Sequence, residues 1–184
     1  MKEKEVCNVN VGLKSLLTPM GELYEHPKNA RKHPERNLRS IAASLNEFGQ
    51  QKAIVYLKNT GEILAGNGTF RAAHSLGWTH IAALAYDRDD KRALGYMEAD
   101  NRTQELSEWD EELHAAALKE LEVLAEEWEA GMEAVGWTSV EIAALIESNA
   151  DALLEADDFK PLQDSKPGVG FAKCPECGHE FKTN

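Results

Sequence analysis

Cysteine is scarce in this 184-residue sequence. There are three, an odd number, which excludes the paired framework of a small disulfide-stapled fold. Long apolar runs are missing too. No stretch approaches the roughly 18 apolar residues that a membrane helix requires, so no membrane association is expected. The first residues, Met1-Lys2-Glu3-Lys4-Glu5, are charged and no apolar segment follows them, which is unlike a secretory signal. A cytoplasmic protein is expected. Two common nucleotide fingerprints are also absent. No Gly-Lys-Ser/Thr follows a glycine-rich turn, and the third glycine of the dinucleotide motif is lacking. The chain has no internal repeat and no low-complexity block.

What remains is an ordinary globular composition, 42% hydrophobic and 28% charged, with net charge −12. That charge is unevenly spread. Residues 105–158 hold 17 acids against the single base Lys119, while residues 1–104 hold 15 bases against 12 acids. Only the front segment can meet phosphate favourably. The acidic stretch repels nucleic acid, so it is expected to meet a protein or to cover a basic face of the front segment.

Periodicity suggests an α+β fold. Residues 8–24 are predicted as a strand and a loop. A helix begins at Pro34, with Leu38, Ile41, Ala42, Leu45 and Phe48 at three- and four-residue spacing, and stops at Gly49. Ala53–Leu57 and Ile63–Ala65 form a hairpin around Asn59–Glu62. A short helix spans Thr69–Leu76, a strand His80–Tyr86, and a helix Asp89–Asn101. Ser107, with Asp110 three residues on, is expected to cap a helix over 107–130 with the stripe Leu113, Ala116, Ala117, Leu121 and Leu124. Trp109, Trp128 and Trp137 read as core or staple residues. Thr138 and Glu141 make a second capping box, for a helix reaching about Leu154. These elements divide the chain into a front domain (1–104), an acidic helical extension (105–155), a linker (156–172) and a tail (173–184).

Gly66-Asn67-Gly68-Thr69-Phe70-Arg71 lies between a strand and a helix. Glycine lets backbone approach an anion at positive φ, and the helix presents unpaired N–H groups with partial positive charge. Thr69 adds a hydroxyl, and Arg71 a fork suited to phosphate oxygens. Taken alone, the turn serves a plain strand-to-helix connection equally well. His26, Lys28, Arg31, Lys32, His33, Arg36 and Arg39 crowd into 14 residues. They form either a solvated face or a phosphate surface. In the second case each contact steepens the salt dependence by roughly 0.9 in log–log slope.

The segment Ile63–Trp78 resembles the second sequence box of ParB/sulfiredoxin-type domains. Asn29-Ala30-Arg31-Lys32-His33 is similar to the Asn-Pro-Arg segment that leads into that domain. Ile41–Val55 resembles its helix–Gly–strand unit, and Ala99-Asp100-Asn101-Arg102 its acid-Asn box. All four stand in family order over about residues 9–104. The resemblance implies a small mixed sheet with helices that binds a nucleoside triphosphate, CTP or ATP, with Mg²⁺. It implies phosphate contacts from Arg31, Gly66, Asn67, Gly68, Thr69, Arg71, Asn101 and Arg102. Asp100 would take the metal, and Asp100 with Arg71 would be the catalytic pair if the site hydrolyses.

Asp100–Thr103, Glu108-Trp109-Asp110 and Gly136-Trp137-Thr138 further resemble phage and prophage ParB-like proteins. This implies DNA as a partner and a role beside a DNA methyltransferase or as a nuclease. A nucleotide-gated adaptor and a small-molecule kinase are the alternatives. Asn67, Gly68 and Thr69 replace the acid and two arginines of the segregation clamps, so a chromosome-segregation role is not expected. No cysteine follows Gly66, so sulfiredoxin chemistry is not expected either. No methyltransferase Asp/Asn-Pro-Pro-aromatic motif is present.

Near the C-terminus, Cys174-Pro175-Glu176-Cys177-Gly178-His179 has the form of a zinc knuckle. Tetrahedral Zn²⁺ needs four ligands. Three readings stay open: a shell shared across a homodimer, a shell completed by His179 or Cys7, or no metal.

Overall fold

Short apolar runs covered on both faces build the centre of the sheet. In the strands β3 (Ile54–Leu57) and β4 (Glu62–Ala65), Ile54 and Ile63 face one side while Leu57 and Leu64 face the other. The computed structural model describes residues 6–87 and 89–149, with the strands at 170–173 and 180–183. Three more strands join the pair: β1 (Leu17–Pro19), β2 (Tyr24–Glu25) and β5 (His80–Tyr86). The five-stranded order is β1-β5-β3-β4-β2. β5 runs parallel to β3 and antiparallel to β1, and β4 runs antiparallel to β3 and parallel to β2. The sheet is therefore mixed, as expected.

Helices α1 (Glu35–Phe48) and α2 (Asn67–Ser75) cover one face. Leu45, Ala72, Ala73 and Trp78 pack there against Ile54, Ile63, Ile81 and Ala83. Helix α3 (Asp90–Glu105), capped by Asp89, covers the other face, where Ala93 meets Leu57 and Leu64. Gln50 is 1% exposed and satisfies itself within the core. Its Nε2 donates to the carbonyls of Lys52 (3.0 Å) and Ala82 (2.9 Å), and its Oε1 accepts from the Ala82 N–H (2.8 Å). One side chain thus ties the residues after α1 to β5.

The acidic extension folds onto α1. It comprises α4 (Glu111–Leu124), short 3₁₀ turns at Ala125–Glu127 and Gly131–Val135, and α5 (Ser139–Ser148). Arg36 donates from both Nη atoms to Glu141, at 2.8 and 2.5 Å, and Arg39 lies 3.9 Å from Glu133. Trp128 meets the edge of Phe48 at 5.2 Å. The acidic segment therefore covers part of the basic face, and Arg36 and Arg39 are engaged there.

Four expectations change. Residues 11–16 form a 3₁₀ helix, because Asn10 caps a turn by accepting from the Gly12 N–H, and strand pairing in this segment is confined to Leu17–Pro19, the start of β2 at Tyr24 and a single bridge at Val9. Helix α4 starts at Asp110, which accepts from the Leu113 N–H at 3.1 Å. Ser107 instead donates to the Gln104 carbonyl and closes α3, which runs on to Glu105. The buried face of α4 is Ala115 and Leu118, while Leu113 is 54% and Leu124 50% exposed. Trp109 is no core residue. It is 72% exposed and stacks on His114, and the buried tryptophan is Trp78. The Thr138–Glu141 capping box is present.

A separate unit spans 150–184. Within it, β6 (Gly170–Lys173) pairs antiparallel with β7 (Glu180–Thr183). Cys174, Cys177 and His179, and the predicted helix end at Ala150–Leu154, lie outside the described residues. Among the described residues, no helix is long and apolar enough to cross a membrane.

Candidate functional site

Gly66 ends β4 in the left-handed region, at φ 92°. A Cβ there would stand 2.5 Å from Ile54 Cγ2, so both backbone and packing require glycine. Helix α2 starts at once, two residues earlier than predicted. Gly66 brings no side chain to cap it, so the first turn keeps its N–H groups and its positive end free of a side-chain cap. Gly68, in that turn, lies against the His33 ring and Ile41. A Cβ there would come within 2.8 Å of His33 Cε1 and Nδ1. The His33 Nδ1 is 2.9 Å from Asn37 Oδ1, which fixes the ring on α1.

Asn67 is 5% exposed. Its Nδ2 donates to the Ile63 carbonyl at 3.4 Å, while its Oδ1 is buried without a partner. An orphaned buried acceptor costs about 1–3 kcal/mol. A ligand group that donates a hydrogen bond would remove that cost.

These residues wall a cavity of about 250 Å³. Its apolar side is Ala53, Ile54, Val55, Leu64 and Ala65, and its polar rim is Asn29, Arg31, His33, Lys52, Thr69, Asp100, Asn101 and Gln104. Helix α3 contributes Tyr96, Asp100 and Gln104 at four-residue spacing, one face of the helix. Tyr96 stacks on Tyr86 at 5.3 Å. Burial pushes the Tyr96 hydroxyl pKa up, and the Asp100 charge adds to that shift. Arg31 reaches the Asn101 carbonyl and Glu105 Oε1, each at 3.5 Å, joining the lead-in loop to the end of α3.

Of the residues singled out in the sequence, Arg31, Gly66, Asn67, Gly68, Thr69, Asp100 and Asn101 converge on this cavity. Arg102 is not on its wall and lies 3.4 Å from Glu105. Arg71 is not on its wall either. It grips Glu25 with Nε and Nη2, at 2.6 and 2.5 Å, and faces a neighbouring cleft. Five polar or aromatic wall residues, Asn29, His33, Lys52, Tyr96 and Gln104, lie outside the site residues expected from the sequence. The i, i+4, i+8 spacing of Tyr96, Asp100 and Gln104 was the available signal.

Mg²⁺ binds through one or two carboxylates plus substrate phosphates. Among the described residues, Asp100 is the one carboxylate on the cavity wall, and no cluster of three or more His, Cys, Asp or Glu is present. The donor set fits a metal brought in with a phosphate and not a self-sufficient metal cage.

The fold is ParB-like. The solved structure of the C-terminally truncated chromosome-partitioning protein ParB from Caulobacter crescentus, complexed with CTP-gamma-S, matches with TM-score 0.60 at 21% identity, covering 76% of this chain and 82% of that one. The same protein complexed to the centromeric parS site gives TM-score 0.39 at 19% identity over 78% and 77% of the two chains. A Pnob8-like ParB-N domain gives 0.41 at 16% identity over 90% and 55%. No protein-family model matches the sequence, and neither does any curated protein.

Proposed function

We propose that this chain binds a nucleoside triphosphate, CTP or ATP, in the cavity beside Gly66–Thr69 and works in DNA metabolism. The observation that carries this reading is the buried, unpartnered Asn67 Oδ1 at the uncapped start of α2, on the wall of that cavity. The helix N–H groups and the Thr69 hydroxyl suit phosphate oxygens. Arg31 and Lys52 supply positive charge, and Ala53–Val55 and Leu64 give an apolar wall for the nucleoside. Asn67 Oδ1 would accept from a nucleoside hydroxyl or amino group. Asp100 would hold Mg²⁺ carried on the phosphates, and the metal would neutralise part of their charge. The nucleotide in the Caulobacter neighbour supports the choice of ligand class.

A nucleotide-gated adaptor is the form of this function that the extension favours. Helix α1 carries Ile41, which walls the cavity, and also Arg36, which holds Glu141 of α5. Occupancy on one side of α1 can therefore bear on the acidic surface held on the other. The partner would be DNA at the lead-in loop, or a protein such as a DNA methyltransferase or nuclease. A single wall carboxylate makes phosphodiester cleavage by this chain the weaker reading. For Zn²⁺, Cys174 and Cys177 from each of two copies would complete a four-ligand shell in a homodimer, and recruitment of His179 or Cys7 within one chain is the alternative.

Calorimetry with CTP, ATP and GTP, with and without Mg²⁺, tests the proposal. One nucleotide should bind with Mg²⁺ and lose most of its affinity in Asp100→Ala. Absence of binding by all three would overturn it. Loss of zinc and of dimer mass on adding EDTA would support the shared knuckle, and a zinc-free monomer would remove it.

A further inference from the structure

The cavity shares Asn29, Arg31 and His33 with a second cleft of about 710 Å³, whose wall also includes Glu25, His26, Lys32 and Arg71. That wall is strongly basic. Arg31, Lys32 and Arg71 supply its positive charge. Glu25 is its one carboxylate among the described residues, and both its oxygens are spent on Arg71, at 2.6 and 2.5 Å.

Two parallel N–H···O bonds to a carboxylate have the geometry that a guanidinium offers two phosphate oxygens. The pair is also reachable, since the two side chains are 42% and 33% exposed. An ion pair so placed contributes little to stability, so a stronger anion can exchange for the carboxylate. Arg71 stands one turn beyond Gly68 on α2, on the same side of the helix. A phosphate chain that starts at the helix N-terminus and passes His33 runs towards it. His26 does not compete for this position, because its Nε2 is directed to Glu62 at 3.8 Å.

We infer that Arg71 reads the length of the bound phosphate chain, and that Glu25 is a built-in competitor which the terminal phosphoryl group of a triphosphate displaces. This rests on the reading that the cavity holds a nucleotide. The cleft then discriminates triphosphate from monophosphate, and the cavity recognises the nucleoside. When the site is empty, Glu25 keeps Arg71 extended and neutralised.

The test is calorimetry with one nucleoside as its mono-, di- and triphosphate, with Mg²⁺, on the full chain. Glu25→Gln should raise triphosphate affinity several-fold and leave monophosphate affinity unchanged. Arg71→Gln should cut the triphosphate-to-monophosphate affinity ratio about tenfold, a charge-assisted bond's worth. Arg71→Lys should restore part of that ratio. Thermal melts establish that each variant is folded. Equal effects on mono- and triphosphate, or none, would overturn the inference while leaving nucleotide binding intact. Tighter binding of a short DNA duplex by Glu25→Gln without a change for the triphosphate would overturn it too, by making the displaced anion's rival a DNA phosphate. If no nucleotide binds the wild type at all, the cavity reading fails first.

Discussion

The His33 ring rests on Gly68 so closely that a methyl group there would stand 2.8 Å from two ring atoms and 2.9 Å from Ile41 Cδ1. This contact brings the lead-in loop, α1 and the start of α2 to one point. It shapes the cavity from outside the glycine turn itself.

Alanine at Gly68 should therefore displace His33 or Ile41. We expect a stability loss of about 1–3 kcal/mol from overpacking, and loss of nucleotide binding. Gly66→Ala should cost at least about 2 kcal/mol, because positive φ adds to the clash with Ile54. Gly95, in α3, has nothing within 4 Å of a Cβ, so Gly95→Ala should gain up to about 1 kcal/mol in helix propensity. Urea unfolding of the three variants checks this order.

Asn67→Leu should separate stability from binding. The substitution removes an acceptor that has no partner and gives up only the 3.4 Å bond to Ile63. The melting temperature should hold or rise, while triphosphate affinity falls about tenfold. A variant that melts earlier and binds normally would show that Oδ1 plays no part in recognition.

Gln50→Leu should be among the most damaging single changes. It strips partners from both the N–H and the carbonyl of Ala82 inside the core. Each orphaned group costs about 1–3 kcal/mol. Denaturant midpoints measure the loss, and Gln51→Leu at the exposed neighbour is the natural control.

The hold of the extension on α1 should weaken in acid. The Arg36 guanidinium, helped by the Thr138 N–H and hydroxyl, depresses the Glu141 pKa to about 2 from an ordinary 4.5. A depressed folded-state value means stability that is present above the unfolded pKa and lost as pH falls through the folded one. The wild type should exceed Glu141→Gln in melting temperature above about pH 4.5, and the gap should close towards pH 2. Both partners are at the surface, so 1 M salt should shrink the gap at neutral pH. A gap constant from pH 2 to 6 would assign the effect to the lost cap alone.

Much of the scaffold was legible in the residues. Ile54–Leu57 and Ile63–Ala65 are short apolar runs on either side of a turn, His80–Tyr86 is a compact β-prone run, and Gly49 stops a clearly periodic helix. Thr138 and Glu141 form a capping box because both partners lie within one turn. Backbone preference, capping and periodicity act over a few residues, so a linear reading captures them. The order Arg31, Gly66–Thr69, Asp100–Asn101 also led to one cavity, which the lead-in loop, the start of α2 and α3 wall together.

Other features depended on which segments meet. Ser107 and Asp110 are both good caps, and only the length of α3 decides that Ser107 closes it while Asp110 opens α4. The stripe Leu113–Leu124 is present as a pattern, but α4 lies against α5 and the residues it buries are Ala115 and Leu118. Arg71 finds its carboxylate 46 residues earlier in the chain, on an edge strand. His33 meets Gly68 only because the loop before α1 crosses the start of α2. The sequence alone thus determined the elements and the chemical inventory of the site. The tertiary structure alone decided which cations stay available to a ligand, because charge pairing and burial depend on distance in space and not along the chain.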